Sequence, residues 1–201
     1  MLAIAGGKGG VGKTTTALGV GVALAARRRD PIVVDADVDL PNLHLVANVP
    51  DSGVEALAEG TPVDSASDVS RRFDGIRVLG STPGAPIDRA LRRLGGDGPV
   101  VVDSPAGASH DAVLPLRMAD AAVVVTTADP ESIQDARKTV QIARRVGTDV
   151  VAFVVNRSST VPDRLASVAG QIHVVPVPAT SNPPLDARRA YDGAVSAWVN
   201  P

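Results

Sequence analysis

A three-layer α/β domain with a mostly parallel sheet of about seven strands is the fold class the sequence predicts. Two observations carry that expectation. Short runs rich in Val, Ile and Ala recur between longer helical patterns, as in a parallel α/β sheet with helical crossovers. The runs are continuously apolar rather than alternating, as strands covered on both faces must be. The 201 residues are 44% hydrophobic and 21% charged, enough for one compact domain that buries roughly 70% of its unfolded surface. With no repeat and no low-complexity linker, residues 1–201 read as one domain.

The expected strands are Leu2 to Ala5, Ile32 to Asp35, Ile76 to Leu79, Val100 to Asp103, Ala121 to Thr126, Val150 to Val155 and His173 to Pro176. Between Pro50 and Arg72 the chain is rich in Gly, Ser and Asp and reads as helix plus loop. Arginines gather at the expected ends of helices: Arg27 to Arg29, Arg92 with Arg93, Arg144 with Arg145, and Arg188 with Arg189. Cations there complement the negative end of the helix dipole. Asp129 and Asp135 flank an expected helix start at Pro130-Glu131, where early acidic residues suit the opposite end.

Composition excludes several function classes. Twenty basic against 22 acidic residues leave a net charge of -2, too balanced for a general polyanion binder. The absence of cysteine excludes disulfides, thiolate metal sites and a cysteine nucleophile. His44, His110 and His173 show no metal-ligand spacing, and neither Ser104 nor Ser109 sits in a nucleophile elbow. Aromatic residues are 2% of the chain, which leaves almost no stacking platform for single-stranded nucleic acid. The start lacks a secretory pattern, and no run approaches the roughly 20 apolar residues of a membrane span. The expectation is a soluble, cytoplasmic protein.

The chemistry is written in the first turn. Gly7 to Thr14 satisfies G-x-x-x-x-G-K-[ST] between the first strand and the helical run Thr16 to Arg28. Such a turn aims consecutive backbone N–H groups of Gly7, Lys8, Gly9, Gly10, Val11 and Gly12 at phosphate oxygens, and the helix N-terminus following it favours anions. In this frame Lys13 reaches the β and γ phosphates, the Thr14 hydroxyl ligates Mg²⁺, and Thr15 closes the loop. Val100-Val101-Val102-Asp103 is a strand that ends in a carboxylate, a charge that needs a cation or donors if buried. Mg²⁺ held through water is the natural cation. Asp35, Asp37 and Asp39 follow the second strand at the same sheet edge, where Pro41 turns the chain away.

Lys8-Gly9-Gly10-Val11-Gly12-Lys13-Thr14-Thr15 resembles the deviant Walker A motif of the MinD/ParA (SIMIBI-class) P-loop ATPases, and Asp103-Ser104-Pro105-Ala106-Gly107 resembles the MinD form of their switch II. The resemblance implies the P-loop NTPase (SIMIBI) fold, ATP and Mg²⁺ as ligands, and slow hydrolysis. It makes Lys8 the second, "signature" lysine that binds phosphate across an ATP-sandwiched homodimer. It makes Asp37 the residue that positions the attacking water and Asp35 a water-mediated support of the Mg²⁺ shell. Asn156-Arg157 is similar to the family's adenine-contacting pair, and Pro178 to the proline that packs on the base. Leu40 to Leu43 is closer to MinD than to plasmid ParA.

The resemblance also implies a spatial organiser acting on division, motility or segregation machinery, with an unidentified protein partner or activator. MinD proteins carry a basic amphipathic C-terminal helix, but no Lys or Arg follows Arg189 here, so direct membrane binding is not expected. Trp198 is expected to dock on the core. The alternatives are a partition ATPase that binds DNA nonspecifically through Arg164, Arg188 and Arg189, or a nucleotide-binding adaptor that does not hydrolyse.

Overall fold

The computed structural model describes residues 1–96 and 98–199. Its strands are β1 (Leu2–Gly6), β2 (Ile32–Asp35), β3 (Asp68–Val69), β4 (Arg77–Leu79), β5 (Val100–Ala106), β6 (Ala121–Thr127), β7 (Asp149–Asn156) and β8 (His173–Val177). They form one sheet in the order β3-β4-β2-β5-β1-β6-β7-β8. All seven expected strands are present and run parallel to one another. The count is eight because β3 pairs antiparallel with β4 through Asp68 and Val69. Two residues are too few to leave an apolar pattern in the Gly, Ser and Asp stretch that contains them.

The helices are α1 (Lys13–Ala26), α2 (Leu43–Ala47), α3 (Gly53–Glu59), α4 (Val63–Ala66), α5 (Ile87–Arg92), α6 (His110–Met118), α7 (Pro130–Arg145), α8 (Asp163–Ala169) and α9 (Asp192–Val199), with a 3-10 helix at Leu185–Tyr191. Successive strand residues point to opposite faces, and both faces are covered. Val33, Val101, Val123, Val154 and Val175 join Leu18 and Leu24 of α1 and Tyr191 in one cluster. Their neighbours Val34 and Val102 pack on α3 and α5, while Val124 and Val155 pack on α7 and α8. This is why the strand runs are continuously apolar. Trp198 is partly buried against the first cluster. Asn200 and Pro201, the end of the C-terminal run, lie outside the described residues.

The arginine clusters fall at helix ends: Arg27 caps α1, Arg93 caps α5, Arg144 and Arg145 close α7, and Arg188 and Arg189 close the 3-10 helix. Asp129 caps α7, its carboxylate accepting from the Glu131 N–H at 3.2 Å. Among the described residues no helix is long and apolar enough to cross a membrane.

The candidate nucleotide site

The topology gathers the motif residues at one edge. β1 lies between β5 and β6, with β2 beyond β5, so the C-terminal ends of β1, β2 and β5 deliver the glycine turn, Asp35 and Asp103 side by side. Open α/β sheets bind ligands at this edge. Residues 7–12 make the turn, and α1 starts at Lys13. Its N-cap, Gly12, holds φ at 93° and supplies no side-chain cap. The first-turn N–H groups of α1 therefore lack an intrahelical partner and are free to meet anionic oxygens.

Gly12 is constrained in a second way. A Cβ there would lie 2.4 Å from Asn156 Nδ2. Asn156, at the end of β7, donates from Nδ2 to the carbonyl oxygens of Val11 (2.8 Å) and Gly12 (3.2 Å) and to Thr16 Oγ1 (3.3 Å). Two carbonyl acceptors fix which end of the amide is nitrogen. Asn156 thus clasps the loop with its amide donor. Arg157 Nη2 donates to the Gly10 carbonyl oxygen at 3.0 Å. Beside them a cavity of about 280 Å³ is lined by Gly10, Thr15, Asn156, Arg157, Pro178 and Tyr191. The residues expected at the base are together, and the hydrogen bonds of the Asn-Arg pair go to the loop.

Lys13 is buried at 8% exposure. Burial lowers its pKa, and the charges of Asp103 and Asp37 oppose that shift. Asp103 is 1% exposed, and its Oδ1 has no hydrogen-bond partner. Burial raises its pKa to about 7; the neighbouring Thr14 hydroxyl and Lys13 pull it down, and Asp35 and Asp37 push it up. A buried carboxylate with one unpartnered oxygen, beside a threonine hydroxyl, is a donor set that suits a hard divalent cation. The residues fit Mg²⁺, with Thr14 and Asp103 on the metal side.

Asp35 is placed differently. It is fully buried, and its oxygens accept from the N–H groups of Asp37 (3.2 Å), Asn42 (3.1 Å) and Leu43 (3.0 Å). Burial still raises its pKa to about 6 against those donors. In this structure Asp35 is the anchor of the loop that carries Asp37, its oxygens taken by backbone donors. Asp37, half-buried on that loop, accepts from the Leu40 N–H at 3.3 Å. Asp39 is exposed, and Asn42 caps α2.

Lys8 is exposed, and its Nζ lies 3.2 Å from Glu131 Oε2 and 3.9 Å from Asp129 Oδ2 at the start of α7. The structure thus pairs Lys8 with carboxylates of its own chain. Sequence reasoning missed those two partners, and also Thr16 and Tyr191. Ser109 caps α6, accepting from the Ala112 N–H at 3.2 Å. Arg164 lies exposed on α8, and Arg188 and Arg189 lie exposed on the 3-10 helix.

Known proteins resemble this chain in sequence and in fold. A sequence profile described as the CobQ/CobB/MinD/ParA nucleotide binding domain matches residues 2–177. An ATP-binding protein of Methanocaldococcus jannaschii is 30% identical over 177 residues, 79% of this chain and 64% of the relative. The chain thus spans less than two thirds of that relative's length. Among solved structures, the cell division ATPase MinD of Pyrococcus furiosus superposes with a TM-score of 0.81 at 24% identity, covering 98% of this chain and 97% of that one. The septum site-determining protein MinD of Pyrococcus horikoshii, complexed with Mg-ADP, gives 0.76 at 23% identity, covering 98% and 86%. These two likenesses establish the fold. The profile match over most of the chain establishes more: the protein belongs to the CobQ/CobB/MinD/ParA nucleotide-binding domain family.

Proposed function

We propose that the chain binds Mg-ATP, hydrolyses it slowly and, while the triphosphate is bound, pairs with a second copy as a switch for a spatial-organisation machine. One observation carries the reading: Lys13, the uncapped start of α1 and the donorless Oδ1 of Asp103 converge at a single sheet edge. The M. jannaschii relative's ATP-binding name and the Mg-ADP in the P. horikoshii structure support the same ligands.

Hydrolysis transfers the γ-phosphoryl group to water and breaks its bond to the β-phosphate oxygen. Positioning and charge neutralisation suffice, and no covalent nucleophile is needed. Lys13 and the first-turn N–H groups of α1 hold the phosphates and stabilise charge on their oxygens. Asp37 accepts a hydrogen bond from the attacking water and orients it. Thr14 and Asp103 would hold Mg²⁺, which would supply charge neutralisation to the phosphates. Lys8 must leave Glu131 to reach phosphate oxygens, in its own site or across a pair of chains. That exchange costs little, because exposed ion pairs are worth about 0–1 kcal/mol. An ATP-driven switch of this kind works in the cytoplasm with a protein partner that stimulates it.

Sedimentation velocity tests the switch. Asp37→Ala protein, which holds ATP without turnover, is expected to sediment as a dimer with Mg-ATP and as a monomer with Mg-ADP. Adding Lys8→Ala should restore the monomer while nucleotide stays bound. Identical sedimentation in both nucleotides would overturn the pairing.

A further inference from the structure

The most exposed large apolar side chains are Leu40 and Leu45, at 76% and 71%. An exposed leucine alone needs no explanation. These two line one groove of about 580 Å³, together with the carboxylates of Asp39 and Asp51. No lysine or arginine lines it. His44 and Ser81 also line the groove, and His44 Nδ1 and Ser81 Oγ are buried without a hydrogen-bond partner. Ser81 has no exposure at all.

Both walls are fastened. Next to Ser81, the Thr82 N–H donates to Glu55 Oε1 at 2.9 Å. Across from it, the segment from Asp39 to Leu45 is tied down where Asn42 and Leu43 donate to Asp35. The concavity is therefore built into the fold. Its composition selects among occupants: two carboxylates repel nucleic acid, free phosphates and anionic lipid, whereas the leucines reward apolar contact. What complements both is an apolar anchor flanked by cations.

We propose that this groove docks a segment of a partner protein that presents a leucine-like side chain beside lysine or arginine. The wall that carries Leu40 and Leu45 hangs on Asp35, which stands in register with Asp103 on the neighbouring strand. Docking and nucleotide binding therefore bias the same loop, and by linkage each changes the other's affinity by the same factor. This coupling rests on the proposed nucleotide site; the groove itself does not.

The experiment uses three fluorescein-labelled 12-residue helical peptides: one with leucines on one face and lysines flanking them, one with glutamate for lysine, and one with serine for leucine. Fluorescence anisotropy with the full chain is expected to show the first binding at least about tenfold more tightly than either control, the scale of an anchor residue. Leu45→Asp should weaken it by about tenfold, and Leu40→Ser similarly, with thermal melts confirming that both variants fold. Leu45→Asp adds the charge that general attraction to a cationic peptide would favour. Unchanged or tighter binding by that variant, or equal binding of the serine peptide, would overturn the proposal. A dimer of the peptide-free chain that Leu45→Asp abolishes would overturn it too, by making a second copy the occupant. With Mg-ATP the peptide affinity should change at least about threefold, with a fluorescent ATP analogue monitored in the same samples. No change with nucleotide bound overturns the coupling; no nucleotide signal overturns the nucleotide reading and leaves the groove standing.

Discussion

Asp35 and Asp103 are register partners on the neighbouring parallel strands β2 and β5, two buried carboxylates at the same level of the sheet with opposite surroundings. Three backbone N–H groups satisfy Asp35, whereas Asp103 Oδ1 has no donor. Asp35 therefore ties down the loop from residue 37 to 43, whereas Asp103 keeps one oxygen unpaired beside Thr14.

This difference predicts opposite effects of removing each charge. Asp103 has a folded pKa of about 7 against an unfolded value of about 3.9. Below about pH 4 both states are protonated and Asp103 costs nothing; between about pH 4 and 7 the unfolded chain ionises first and stability is lost. Nucleotide-free Asp103→Asn should therefore be more stable than the parent at pH 7.5, by about 1–3 kcal/mol in urea melts with chelator, while losing Mg²⁺-dependent nucleotide binding. Asp35→Ala should be less stable by about 1–3 kcal/mol, since it strands three N–H donors. Urea melts at pH 5 and 7.5 check both signs.

The Asn156 clasp predicts that Asn156→Ala loosens the loop without unfolding the sheet. Losing hydrogen bonds to the Val11 and Gly12 carbonyl oxygens should weaken ATP binding by about 10- to 100-fold, corresponding to about 1–3 kcal/mol. Gly12→Ala should do at least as much, because its Cβ would sit 2.4 Å from Asn156 Nδ2 on a backbone with φ of 93°. Fluorescence titration with an ATP analogue measures both.

Asp37 separates binding from turnover. It lies on the loop fastened by Asp35 and contributes no donor to phosphate. Asp37→Ala should keep ATP affinity within about threefold while phosphate release falls by about 100-fold or more, the scale of a removed positioning group. Normal phosphate release from that variant would remove Asp37 from the water-positioning role.

The parts legible in the sequence are those encoded by side-chain pattern. The seven parallel strands announce themselves because the sheet is covered on both faces, as Val33 and Val34 on β2 illustrate. The glycine turn is legible because residue type at fixed spacing decides its shape. The backbone partners of Asp35 were not, because they are N–H groups of residues 37, 42 and 43, which no residue identity encodes. Nor were the partners of Lys8: Glu131 lies 123 residues away, and only the adjacency of β1 and β6 brings α7 to the loop. The two-residue β3 exists only through its pairing with β4.

On the proposed function, the turn from Gly7 to Thr14 holds a magnesium-bound adenosine triphosphate. Isothermal titration calorimetry of the folded chain with ATP and Mg²⁺ measures that directly. Saturable one-site heat is predicted, with affinity falling at least about 100-fold in Lys13→Ala, as loss of a buried charged hydrogen bonder should produce. No heat from the folded parent chain at several temperatures, or equal affinity in Lys13→Ala, would contradict the account.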